Sequence, residues 1–137
     1  MHRRWVVLIA LALLATSCPP RATTTRVVPE PQRSSDVRDR VLAYVGLLAT
    51  QQGLEAVGAP QDGCVREWRL TQQSHQRLAP RTGTLDLCVE YEEAGAVAVR
   101  VREGGADIPA LHDKAERLRW ALSDSLSQLG RTTVDRR

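Results

Sequence analysis

The sequence predicts an α+β fold, a two-layer αβββα sandwich in which two helices cover one face of a small antiparallel sheet. Apolar residues recur at helical spacing near each end of residues 36–130, and three runs between them alternate apolar and polar residues. With 137 residues, 42% hydrophobic and 26% charged, the chain has the size and composition of one globular domain. Strands that follow one another directly pair as an antiparallel meander, which leaves one face for the helices.

The first helix is predicted over residues 36–52. Its apolar face repeats at intervals of three and four, and consists of Val37, Val41, Tyr44, Val45 and Leu48. Ser35 or Asp36 is a candidate N-cap, because a short polar side chain can accept a hydrogen bond from the first turn. Gly53 followed by Leu54 is typical of a left-handed helix end.

The three middle runs each place apolar side chains on one side. These are Trp68 and Leu70 in the first run, Leu85, Leu87, Val89 and Tyr91 in the second, and Val97, Val99 and Val101 in the third. A three-residue loop at 93–95, with Gly95 in the left-handed conformation, sets Glu92 opposite Ala96. This register predicts one apolar and one polar sheet face. Because three strands are few, a further short strand at 54–60 or pairing with a second molecule stays open.

The last helix carries an apolar stripe formed by Leu111, Ala115, Leu118, Leu122, Leu126 and Leu129. Asp107 is its predicted N-cap, Pro109 lies in its first turn, and Gly130 marks its end. The single domain is therefore predicted over residues 36–130, followed by a disordered tail at 131–137.

Residues 1–17 are typical of a secretory signal peptide: a basic start, an apolar run from Trp5 to Leu14, and small residues before Cys18. The apolar run is shorter than the roughly 20 residues that span a bilayer. The segment from Leu14 to Cys18 resembles the lipobox of bacterial lipoproteins, and the resemblance covers residues 1–18 only. It implies lipidation of Cys18 and a location in the cell envelope, on the extracytoplasmic side of a bacterial membrane. An ordinary secretory signal, which would leave the domain unanchored, is the alternative.

Residues 18–35 combine this cysteine with a segment rich in proline and threonine, which predicts a disordered tether. At the polyproline rise of about 3.1 Å per residue, such a tether would hold the domain up to about 50 Å from the lipid.

Cys64 and Cys88 form an even pair once Cys18 is assigned to lipid, and export favours a disulfide between them. The strand register creates a conflict, because it places Cys64 near Tyr91 and about three residues from Cys88. A bulge near Cys64, or a position of Cys64 just outside the strand and over the polar face, would resolve it.

The sequence offers few groups for catalysis. After loss of the signal peptide, His75 and His112 are the remaining histidines, and no metal-binding or nucleophile motif surrounds them. We expect no enzyme activity, no cofactor and no metal; a small hydrolase that uses His75 or His112 is an alternative. With aromatic residues at 4% and no Phe, we also expect no nucleic-acid binding.

Trp120 lies about 180° around the last helix from Leu111 and Leu129, which predicts an exposed side chain. An exposed Trp is a candidate anchor for a partner protein or a membrane interface; the alternative is that it packs under the N-terminal segment or against the neighbouring helix. The sequence thus predicts a lipid-anchored, non-catalytic binding or assembly protein that contacts another envelope protein. A secreted, unanchored stability or inhibitor domain is the alternative.

Overall fold

The computed structural model describes residues 21–74 and 79–137. The strands in this part of the chain are β1 (Ala22–Val28), β2 (Glu55–Ala56), β3 (Arg66–Gln73), β4 (Thr82–Tyr91), β5 (Val97–Gly105) and β6 (Arg131–Arg136). The helices are α1 (Ser34–Gln51) and α2 (Pro109–Leu126). All six strands join one antiparallel sheet in the order β2-β3-β4-β5-β1-β6, so the α+β prediction is confirmed.

The middle of the sheet has the predicted register. Leu87 lies between Trp68 on β3 and Val101 on β5, and Tyr91 faces Val97. At the β4–β5 turn, the Glu92 amide donates to the Ala96 carbonyl at 2.8 Å. The short strand β2, which pairs with β3, lies within the 54–60 region that the sequence left open.

Both helices pack on one face of the sheet, as predicted. Their buried side chains and the inward side chains of β1, β3, β4 and β5 form one hydrophobic core. The helices contribute Val37, Val41, Val45, Leu48, Ala49, Leu111, Ala115, Leu118, Leu122 and Leu126 to it. Among the described residues, no helix is long and apolar enough to cross a bilayer.

The N-caps differ from the predicted ones. A 3-10 turn at Pro31–Arg33 leads directly into α1, so Ser35 and Asp36 lie inside the helix instead of capping it. The residue before α2 is Ile108, still in an extended conformation, which leaves Asp107 one position too early. The end of α1 is as predicted, because the amides of Gly53 and Leu54 donate to Thr50 and Ala49.

Over the described residues, the structure differs from the predicted disordered tether and tail, because each contains a strand. Within the expected tether, Ala22–Val28 forms β1, which pairs with β5 and completely buries Val27 opposite Val97. Within the expected tail, Arg131–Arg136 forms β6, which pairs with β1. Alternating β-branched residues favour a strand at Ala22–Val28. The hydrogen-bonding partners that β1 needs come from β5, which is distant in the sequence.

Candidate functional site

Two of the predicted site residues, Cys18 and His75, lie outside the described residues. Cys64 and Cys88 form a disulfide with a Cα–Cα distance of 5.6 Å. Cys64 precedes β3, and the next residue, Val65, donates its amide to the Val89 carbonyl at 2.7 Å. The conflict with the register disappears because Cys64 lies outside the strand and reaches Cys88 across the polar face of the sheet.

The disulfide leaves little scope for a metal at this position. Ligand atoms of Cys64, Cys88 and Glu90 lie within 4.8 Å of one another. Both sulfur atoms are oxidised, so neither is the thiolate that a metal requires, and Glu90 forms an ion pair with Arg100.

His112 belongs to an ion-pair network between α2 and β5. Its Nδ1 lies 2.9 Å from Glu103 Oε1, and Arg119 donates to Glu103 Oε2 at 2.8 Å. Arg119 also pairs with Glu116 one turn away at 2.5 Å. This network ties the helix to the sheet, and among the described residues no hydroxyl or thiol hydrogen-bonds to His112.

The polar sheet face is balanced by ion pairs. Arg26 donates two hydrogen bonds to Glu92, from Nε at 2.6 Å and from Nη2 at 3.0 Å, and these bonds lower the pKa of Glu92 and raise that of Arg26. Arg69 donates to Asp86 at 2.5 Å, which raises the pKa of Arg69. Charges paired in this way on an exposed sheet indicate a solvated surface.

Trp120, on α2, is the most exposed large hydrophobic residue in the described part of the chain. Its side chain is 76% exposed, as predicted, and it borders a groove of about 670 Å³ between α2 and the β1–β6 edge of the sheet. Thr23 pairs with Arg136, and Thr25 pairs with Val134, so these four residues share the face that forms the floor of the groove.

The groove exists because the sheet is wider than the helical layer. The inward side chains of α2, including Leu118 and Leu122, pack into the core, while β6 extends beyond the helix. Thr23 and Thr25 are buried, whereas Val134 is 47% exposed. Arg119 also lines the groove, and its Nε is buried with no hydrogen-bond partner in residues 21–74 and 79–137. The groove therefore combines an apolar rim with polar groups below it.

Sequence reasoning identified Trp120 but missed the opposite wall of the groove. Thr23 and Thr25 were assigned to the tether, and Val134 and Arg136 to the tail. The signal that was available is their alternation, since Thr23, Thr25 and Val27, like Thr132 and Val134, are β-branched residues at every second position.

Comparison with known proteins assigns the chain to no family. No family model matches it, and no curated protein matches it significantly. Among solved structures, LpqN, involved in cell envelope biogenesis of Mycobacterium tuberculosis, is similar at 22% identity and a TM-score of 0.33, covering 85% of this chain. The chain spans 63% of that protein's length.

Two further structures show similarities of the same size. The de novo designed protein Foldit4 has 13% identity and a TM-score of 0.32, with 86% of this chain and 93% of that chain covered. The di-domain aromatase/cyclase StfQ of the steffimycin biosynthetic pathway has 14% identity and a TM-score of 0.30, with 78% and 43% covered. Identities and TM-scores at this level assign no function.

Proposed function

We propose that this chain is a lipoprotein of the bacterial cell envelope, anchored through Cys18 on the extracytoplasmic side of a membrane. In this proposal the folded domain is non-catalytic and binds another envelope protein through the groove beside Trp120. The observation that carries the binding role is the large exposed indole at the border of a groove, since a Trp that is 76% exposed is costly in water and common at binding hot spots.

Two features support export. The residues from Leu14 to Cys18 resemble a lipobox, and the Cys64–Cys88 disulfide suits an oxidising compartment outside the cytoplasm. The hydrolase alternative has less support, because His112 contacts Glu103, which also accepts a hydrogen bond from Arg119, in a network between helix and sheet.

Metabolic labelling tests the anchor. In a bacterial host fed radioactive palmitate, we expect the full chain to incorporate label and to partition into detergent, and the Cys18→Ser variant to do neither. Partitioning of Cys18→Ser into detergent, or an unmodified Cys18 sulfur in the mass of the mature wild type, would contradict the anchor. The second result would favour the unanchored secreted protein.

Site-specific crosslinking tests the groove. A photoreactive residue at Trp120 or Val134 should capture the same partner in intact cells. The same residue at Leu47, which is 56% exposed on α1, should not capture it. A separate Trp120→Ala variant should reduce capture from position 134. Equal capture from positions 47 and 120 would show that contact at the groove is nonspecific.

A further inference from the structure

The structure brings the folded domain much closer to Cys18 than a tether would. The Arg21 carbonyl already accepts a hydrogen bond from the Glu103 amide at 2.9 Å, and Ala22 exchanges backbone hydrogen bonds with Arg137 at 3.0 and 2.9 Å. Three Cα-to-Cα steps separate Cys18 from Arg21, and a fully extended chain covers roughly 11 Å in three steps. A lipid on Cys18 would therefore hold the start of β1 next to the bilayer surface.

Five strands have an end at this level of the sheet. β1 begins beside the last residues of β5 and β6, because Ala22 pairs with Arg102 and Thr23 pairs with Arg136. β4 begins here as well, since Gly83 pairs with Gly105, and β3 ends beside it. With a lipid on Cys18, this end of the sheet would be the part of the domain that faces the membrane.

This end of the sheet is basic. Its exposed cations, which we call the basic end, are Arg21, Arg81, Arg102, Arg136 and Arg137. Of these, only Arg137 forms an ion pair with another described residue, at 3.2 Å from Asp135.

The carboxylates at the same level do not cancel this charge. Glu103 and Glu116 both pair with Arg119, His112 also contacts Glu103, Asp135 faces Arg137, and Asp107 is exposed. Five arginines therefore stand against Asp107 and Asp135 outside the Arg119 network, which leaves an excess of positive charge at the end of the sheet where β1 begins.

Part of the basic end is concave. Arg21 and Arg102 both line a cavity of about 270 Å³, together with the carboxylates of Glu103 and Asp107 and the glycines Gly104 and Gly105. Guanidinium groups bind phosphate oxygens with two parallel hydrogen bonds, so the two arginines that line this cavity are suited to a phosphate-bearing headgroup, with Glu103 already engaged by Arg119.

We infer that the basic end binds the anionic phospholipid headgroups of the membrane that carries the anchor. This inference rests on the proposed lipidation of Cys18. The anchor confines the basic end to the bilayer surface, so that each contact is effectively intramolecular and weak individual contacts suffice. Each arginine close to an anionic surface contributes roughly fivefold to the bound population. In this orientation one end of the strands contacts the membrane. The Trp120 groove then opens to the side of the domain, where a partner can enter it.

Arginine footprinting on the lipidated full chain tests this inference. The protein is reconstituted into vesicles of phosphatidylcholine alone or of phosphatidylcholine with phosphatidylglycerol. Exposed guanidinium groups are modified with p-hydroxyphenylglyoxal and located by mass spectrometry. We expect the phosphatidylglycerol vesicles to slow modification of the basic end about fivefold or more, and high salt to abolish the difference. Arg33, Arg66 and Arg131, which are exposed at the opposite end of the sheet, should react equally in both vesicles.

Matched triple variants separate charge at the basic end from total charge. Replacement of Arg21, Arg102 and Arg136 by Gln should remove the protection of the remaining Arg81 and Arg137. The matched Arg33→Gln, Arg66→Gln, Arg131→Gln variant should retain it. All six positions are exposed, and thermal unfolding checks that both variants fold.

Each outcome decides between the proposals. Equal modification of both ends in both vesicles, on a protein whose mass shows the acyl chains, overturns the membrane contact and leaves the anchor intact. Protection of the opposite end, or protection that survives in the basic-end variant, also overturns it. A mature protein without acyl chains overturns the anchor, and the inference falls with it.

Discussion

Two neighbouring valines in β1 give a direct test of whether the expected tether is part of the fold. Val27 is completely buried opposite Val97, whereas Val28 is 41% exposed at the end of the strand. Val27→Ala removes the equivalent of two buried methylene groups, about 1.6 kcal/mol of transfer free energy, and leaves a cavity in the core. We therefore expect Val27→Ala to lower the free energy of unfolding by about 2–3 kcal/mol, and Val28→Ala to lower it by less than about 1 kcal/mol.

Urea unfolding at pH 7, followed by the fluorescence of the tryptophans, measures both values. Trp68 is buried in the core and reports its exposure to water. In a domain of this size, 1 kcal/mol corresponds to about 4 °C in Tm, so Val27→Ala should unfold about 10 °C below the wild type. If the two substitutions cost the same small amount, β1 does not contribute to the core and the tether interpretation is restored.

Three further predictions follow from the disulfide, the polar face and the groove. Replacement of Cys64 and Cys88 by Ser opens a loop with a sequence separation of 24, and should cost about 3 kcal/mol in urea unfolding; a cost below about 1 kcal/mol would contradict a native disulfide. Because the bonds from Arg26 lower the pKa of Glu92, their stabilisation is present above the unfolded pKa of about 4.3 and is lost as the pH falls. The gap in unfolding free energy between wild type and Arg26→Met should therefore shrink from pH 7 to pH 3, and a pH-independent gap would refute the pairing. Trp120→Ala should leave the unfolding free energy within about 0.5 kcal/mol of wild type but weaken partner binding about 30-fold in titration calorimetry; unchanged affinity would exclude the indole as an anchor.

The two helices and the central strands could be predicted from the amino-acid sequence. Their signals are local, because the stripe from Leu111 to Leu126 and the alternation from Leu85 to Tyr91 each belong to a single element. The turn at 93–95 also set the β4–β5 register, since the loop length of a hairpin decides which residues face each other.

The outer part of the sheet depends on pairing between segments that are far apart in the sequence. The strand Ala22–Val28 pairs with no strand close to it in the sequence. Its partners, Val97–Gly105 and Arg131–Arg136, are both distant along the chain. The composition of a short segment contains no information about a strand so far away. The prolines and threonines by themselves therefore predicted disorder. The sequence also did not show where β3 begins. In the structure β3 begins at Arg66, which leaves Cys64 outside the strand.

The candidate surfaces follow from that outer part. The sequence identified Trp120 as exposed from its angle on one helix, but its groove needs β1 and β6 as the opposite wall. The basic end exists because antiparallel pairing brings Arg21, Arg102 and Arg136 to one end of the sheet. Periodicity determines which way a side chain points, and long-range pairing determines what lies beside it.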